Sequence, residues 1–215
     1  MRRIYVLNPN SSRVVTEGIL QSLAPFNCQN LEIKVDRLDN GPKYIEGYKD
    51  EAFVAPIIVE RLFNLKNQYD IFVIACHGDP GLDAAREATY PKKVVGIGEA
   101  SMLAACAVAR CFGVITLHSS LVPKKWHQVH SYGLGDRCVA IEPTEKGVLD
   151  SLEYPNEILP YLDAAKRAIS KGAQAIVLGC AGMAHLAKTL SLELEVPVLD
   201  PVYSAVSISL GMQVL

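Results

Sequence analysis

Short runs rich in apolar residues mark the chain at residues 4–7, 31–35, 71–75, 94–97, 112–117, 138–141, 175–178 and 198–199. Runs of this length predict strands, and residues 71–75, with no polar alternation, predict one covered on both faces. Between them apolar residues recur at helical spacing: from the first turn to about residue 24, then over 50–67, a short piece after residue 81, 99–110, 122–132, 157–171, 184–192 and 203–212. The first run breaks at Asn8-Pro9-Asn10-Ser11-Ser12, a polar turn with several candidate N-caps. Residues 41–49 (GPKYIEGYK) predict a surface loop, and Pro56 is expected in the first turns of its helix, where proline costs least. Strands separated by helices imply parallel βαβ units, so the predicted fold class is α/β.

An internal repeat sharpens this picture. Val73-Ile74-Ala75-Cys76-His77-Gly78 matches Val177-Leu178-Gly179-Cys180-Ala181-Gly182 at an offset of 104, and Val94-Val95-Gly96 falls on Val198-Leu199-Asp200 at the same offset. Val6-Leu7-Asn8-Pro9-Asn10-Ser11-Ser12 falls on Val114-Ile115-Thr116-Leu117-His118-Ser119-Ser120 at an offset of 108. Three segments in one order predict a duplicated α/β lobe with pseudo-twofold symmetry. The expected division is residues 1–97 plus about 200–215, carrying Cys76, and 98–199, carrying Cys180.

Composition narrows the function classes. The 215 residues suffice for two small lobes or one large domain. Half are hydrophobic, 20% are charged and the net charge is −2, with no basic stripe to neutralise phosphates, which argues against nucleic acid as a partner. No apolar stretch approaches the roughly 20 residues of a membrane span, and the first run is too short for a signal peptide's apolar region. A cytoplasmic enzyme or binding protein acting on a small molecule is the expectation. Six cysteines occur without any CxxC, and His127 and His130 lack an acidic or thiol neighbour, so free thiols and no metal are expected.

Two of those cysteines stand out. Cys76 and Cys180 sit at the carboxyl ends of predicted strands, where α/β sheets place their ligands, each just before a Gly-containing turn that opens a helix. Backbone N–H groups and the helix dipole there are expected to lower a thiol pKa toward neutrality. By contrast Cys106 is predicted mid-helix, Cys111 and Cys138 at strand starts and Cys28 in a loop. Paired thiols from facing lobes suit inversion of a carbon with an acidic proton: one thiolate removes the proton and one thiol delivers another from the opposite face. The N–H groups after each cysteine, at His77 and Ala181, together with Asn10, Ser11 and Thr116, are candidate donors to the developing enolate.

Other motifs fall short. Gly96-Ile97-Gly98-Glu99-Ala100-Ser101 lacks the third glycine of a dinucleotide fingerprint, and the next strand ends without an acidic residue. A nucleophile elbow needs glycine two residues before the nucleophile, where Ile74 and Leu178 stand instead. A non-catalytic binding protein would have no use for paired thiols.

NPNSS, IEGYKDEA, IACHGDPGLDAARE, VVGIGEASM, LGCAGMAHL and VPVLDP together span nearly the whole chain, which resembles the hydantoin racemase group of the aspartate/glutamate racemase superfamily. The resemblance implies two Rossmann-like lobes around a central cleft, no cofactor or metal, and a homo-oligomer. It implies catalytic roles for Cys76 and Cys180 and substrate contacts at Asn8, Asn10, Ser11, Gly78, Thr116 and Gly182. His77 departs from the aromatic or small residue expected there, with a role in tuning Cys76, in substrate contact or in structure alone. The implied substrate is a 5-substituted hydantoin, a five-membered cyclic ureide inverted at C5, with racemisation of allantoin, an aspartate/glutamate-type racemisation or a decarboxylation as alternatives.

Overall fold

Every apolar run predicted as a strand forms one in the computed structural model, which describes residues 1–26, 30–154 and 156–212; Cys28 lies outside the described residues. Strands β1 (Arg2–Asn8), β2 (Leu31–Arg37), β3 (Ile71–Ile74) and β4 (Lys93–Gly96) form a parallel sheet in the order β2-β1-β3-β4. Strands β5 (Phe112–Thr116), β6 (Cys138–Pro143), β7 (Ala175–Leu178) and β8 (Val198–Leu199) form a second, ordered β6-β5-β7-β8. The second order is the first repeated, and the segments matched in sequence are the strand pairs β1/β5, β3/β7 and β4/β8. The fold is α/β, two lobes each built on a four-stranded parallel sheet flanked by helices.

Position in the sheet explains the strand patterns. Central β3 and β7 are buried at every residue, as strands covered on both faces must be. Edge strand β2 instead alternates, with Glu32 and Lys34 exposed. One apolar cluster runs through both lobes, from Ile4, Val6 and Val73 to Ile115, Ile176 and Leu178.

The described helices are α1 (Arg13–Leu23), α2 (Tyr48–Leu65), α3 (Leu82–Thr89), α4 (Ile97–Val108), α5 (Val122–Ser131), α6 (Asp150–Glu153), α7 (Leu159–Ser170), α8 (Ala187–Leu194) and α9 (Pro201–Gly211). Two differ from expectation. Helix α2 starts early, so Pro56 stands in its interior rather than its first turns, where its missing N–H leaves the ladder one bond short. The helix predicted from residue 184 opens as a 3-10 turn, Ala181–Leu186, directly after Cys180. Helices α4 and α9 trade places. Helix α4 follows β4 yet packs on β5, β7 and β8, whereas α9 follows β8 yet packs on β3 and β4, and the two lie against each other. Asp200 caps α9 by accepting from the N–H groups of Val202 (2.8 Å) and Tyr203 (3.1 Å), with Pro201 in the first turn.

Candidate active site

The turn after β1 is held by its own asparagines. Buried Asn8 donates from Nδ2 to Asn10 Oδ1 (3.0 Å) and Thr16 Oγ1 (3.1 Å), and its Oδ1 accepts from the Asn10 N–H (3.3 Å). Asn10 Oδ1 in turn accepts from the Ser12 N–H (2.9 Å), and Ser12 caps α1 through the Val15 N–H (3.3 Å). Ser11 faces away, its N–H and Oγ both donating to the Pro42 carbonyl (2.9 and 3.3 Å). That bond ties the turn to the loop over residues 41–47, whose far end is fixed by Asp50, which accepts from the Glu46 N–H (3.1 Å).

These elements enclose a cleft of about 550 Å³, its open mouth included, at the carboxyl ends of both sheets. Cys76, from the end of β3, and Cys180, from the end of β7, both line it, half-buried. So do Asn10, His77, Gly78, Thr116 and Ala181. Ile45 and Glu46 also line it, so the predicted surface loop forms part of the wall. Asn8, Ser11 and Gly182 are not among the lining residues: the first two brace the turn, and the Gly182 N–H donates to Cys180 Sγ (3.4 Å). Thr116 Oγ1 is fully buried, lines the cleft and has no hydrogen-bond partner. A buried hydroxyl left in that condition calls for a polar ligand.

The thiols depart from the expected lowered pKa. Burial pushes Cys76 up to about 12, with the Glu51 carboxylate adding to the rise; the Gly78 N–H, Lys124 and Lys125 pull it down by less. Cys180 is raised too, again by burial, against the Gly182 N–H and Lys125. The predicted N–H donors are present, but desolvation outweighs them. The five described cysteines are free thiols.

A polar network stands behind Cys76. Lys125, buried on α5, donates to His77 Nδ1 (2.7 Å), the His77 carbonyl (3.3 Å) and Gln128 Oε1 (3.1 Å). Gln128 Nε2 donates to the His77 carbonyl (2.5 Å), and Tyr132 Oη donates to Asp79 Oδ2 (2.7 Å). Asp79 accepts from the Gly98 (3.0 Å) and Glu99 (2.7 Å) N–H groups at the start of α4. The helix terminus that a nucleotide phosphate would need is thereby filled from within. Gly98 must be glycine, because a Cβ there would run into the His77 carbonyl and Asp79. At Gly78 a Cβ would strike the Glu51 carboxylate, which pairs with Lys124. Burial pushes Asp79 up to about 6 and Lys125 down to about 8, Lys124 adding to the latter. His77 is held well below its ordinary value by burial and by Lys125, so its ring is neutral.

Sequence reasoning missed Lys125, Glu51 and Asp79. Adjacent Lys124 and Lys125 read as the polar face of an amphipathic helix, and only the tertiary arrangement turns Lys125 inward. His127 and His130, set aside as metal ligands, lie further along α5, with His130 stacked on Trp126 at 5.9 Å.

Comparison with known proteins places the chain in a family. The Asp/Glu/hydantoin racemase family profile matches residues 4–208. A hydantoin racemase from Pseudomonas sp. (strain NS671) is 40% identical, across 95% of this chain and 83% of that protein. One from Rhizobium meliloti is 35% identical, across 96% and 86%. The solved structure of an allantoin racemase from Klebsiella pneumoniae superposes with a TM-score of 0.90 at 37% identity, covering 99% of this chain and 89% of that one. The chain belongs to the Asp/Glu/hydantoin racemase family and is a racemase, an isomerase.

Proposed function

We propose that this racemase inverts the C5 stereocentre of 5-substituted hydantoins without a cofactor, by two-base proton transfer between Cys76 and Cys180. The observation that carries the reading is that repeat-equivalent thiols, from the ends of β3 and β7, line one cleft. One thiolate removes the C5 proton, the ring carbonyl takes the electron pair as an enolate, and the opposite thiol delivers a proton to the other face. Each turnover leaves the two sulfurs with exchanged protonation, ready for the reverse direction. Thr116 Oγ1 is the donor best placed to meet a ring oxygen, with Asn10 beside it, and the Gly78 and Gly182 N–H groups stabilise the thiolates.

Allantoin carries the same five-membered ring, and the likeness to an allantoin racemase structure favours it as the second substrate to test. The lobes are read as residues 1–97 plus about 200–215 and 98–199, a division supported by the packing of α9 on β3 and β4. The same reading takes the protein as a cytoplasmic homo-oligomer. The test is loss of optical rotation or circular dichroism in parallel incubations with L-5-substituted hydantoins, allantoin and aspartate, after dialysis against EDTA and without pyridoxal phosphate. Decay of the hydantoin signal is expected. Decay with aspartate alone would overturn the substrate, and activity restored only by added metal would overturn the mechanism.

A further inference from the structure

Lys125 is 4% exposed and lines the cleft together with both thiols. Its neighbour Lys124 is neutralised by Glu51, whereas Lys125 belongs to none of the ion pairs among the described residues. A buried ammonium without a carboxylate against it is costly, and such a charge persists where something anionic offsets it. An ammonium has three N–H donors, and Nζ directs its contacts to His77 Nδ1, the His77 carbonyl and Gln128 Oε1. All three acceptors are neutral. The side chain is therefore clamped and has no donor left for a substrate, while its charge stays unmatched at close range. The chemistry proposed for the cleft needs one negative charge there, shared between two sulfurs and an enolate.

We infer that Lys125 is a positioning residue: a fixed cation, clamped by His77 and Gln128, that favours the thiolate on whichever of Cys76 and Cys180 carries it. This rests on the reading of those two cysteines as the proton carriers. The clamp also assigns a role to His77. With Nδ1 accepting from Lys125, its remaining proton is on Nε2, facing Ser101 Oγ at 3.4 Å, and Ser101 donates onward to the Gly98 carbonyl (3.1 Å). His77 thus holds Lys125 in place and is no proton carrier itself. The charged and titratable groups acting on Lys125 are Lys124 on its own helix, Glu51 on α2, Cys76, His77 and Asp79 at and after the end of β3, and Cys180 after β7. Of these, Lys124 is the cation and is already paired with Glu51.

The test labels Cys76 and Cys180 with iodoacetamide in the full chain without substrate, each cysteine read by peptide mass spectrometry, in the wild type and in Lys125→Met. At about pH 7 both cysteines should label about tenfold more slowly in the variant, one pKa unit being a factor of ten in thiolate. The gap should close above about pH 8, where Lys125 gives up its own proton and the wild type loses its advantage. Equal labelling at about pH 7 in a variant with unchanged circular dichroism overturns the inference. So does a gap undiminished at about pH 10, which marks altered packing instead. If Lys125→Met does not fold, the double variant with His77→Phe removes donor and acceptor together and carries the same comparison. Labelling does not depend on racemisation. A protein that shows the gap but leaves hydantoins unracemised refutes the proposed substrate alone, and one that racemises them without the gap refutes the role of Lys125 alone.

Discussion

If Cys76 and Cys180 carry the proton as proposed, serine in place of either removes one base while leaving the cleft's shape nearly unchanged. Cys76→Ser and Cys180→Ser should each abolish racemisation in both directions, because each direction uses both groups. Each variant keeps one thiol, so in D₂O it should still exchange the C5 proton of one enantiomer with retention, and the two variants should choose opposite enantiomers. NMR of each enantiomer, corrected for background exchange, decides this; exchange of the same enantiomer by both variants would sink the opposite-face assignment. The pH profile follows from the burial that raises both thiols. Since thiolate forms only as pH rises, kcat/KM should climb up to about pH 8 and level as Lys125 loses its charge. It should fall at higher pH, when the second thiol ionises. A flat profile from about pH 6 to 8 would contradict a thiolate base. Both cysteines were legible in the sequence because repetition singled them out. Their pKa direction was not, because motif position reports nearby N–H groups but not how thoroughly the surrounding chain excludes water. Lys125 was illegible for a related reason, its helical phase being set by a partner, His77, that is distant in sequence.

Helix α4 owes its start to a carboxylate from the turn after β3. Asp79→Asn exchanges an acceptor for an amide donor facing the Gly98 and Glu99 N–H groups or Tyr132 Oη, so a loss of about 1–3 kcal/mol is expected. Burial raises Asp79 from its ordinary 3.8 to about 6, so the folded state binds this proton more tightly than the unfolded chain does. The associated stability is present below about 3.8 and lost as pH rises through about 6. The stability advantage of wild type over Asp79→Asn should therefore be larger at about pH 4 than at about pH 7, as urea titrations at the two values would show. An advantage that grows with pH would contradict the raised pKa. In the sheets, Ile74 and Leu178 are repeat-equivalent and fully buried. Truncation of either to alanine should cost about 2–5 kcal/mol. The strands were legible because short runs rich in apolar residues have no other economical use in a chain of this size. The 3-10 turn after Cys180 and the interior Pro56 were not, since both depend on where neighbouring elements dock.

At the scale of the molecule, a substrate analogue filling the cleft touches residues from both lobes and should stabilise them together. At about a hundred times its dissociation constant it should add about 2.7 kcal/mol, seen as one shifted melting transition rather than two. The trade of α4 and α9 between the sheets reaches further. Each of these helices is joined by chain to one lobe and docked on the other, so neither half of the sequence owns a complete set of cover for its own sheet. Cut in the connection between α4 and β5, the chain yields two pieces: one exposing the docking face of α4 and missing α9, the other with a second sheet bare where α4 belongs. Neither piece should melt cooperatively alone. Mixed, they should reassemble as a non-covalent pair and recover a cleft with both sulfurs, the way the halves of a clasp hold only when interleaved.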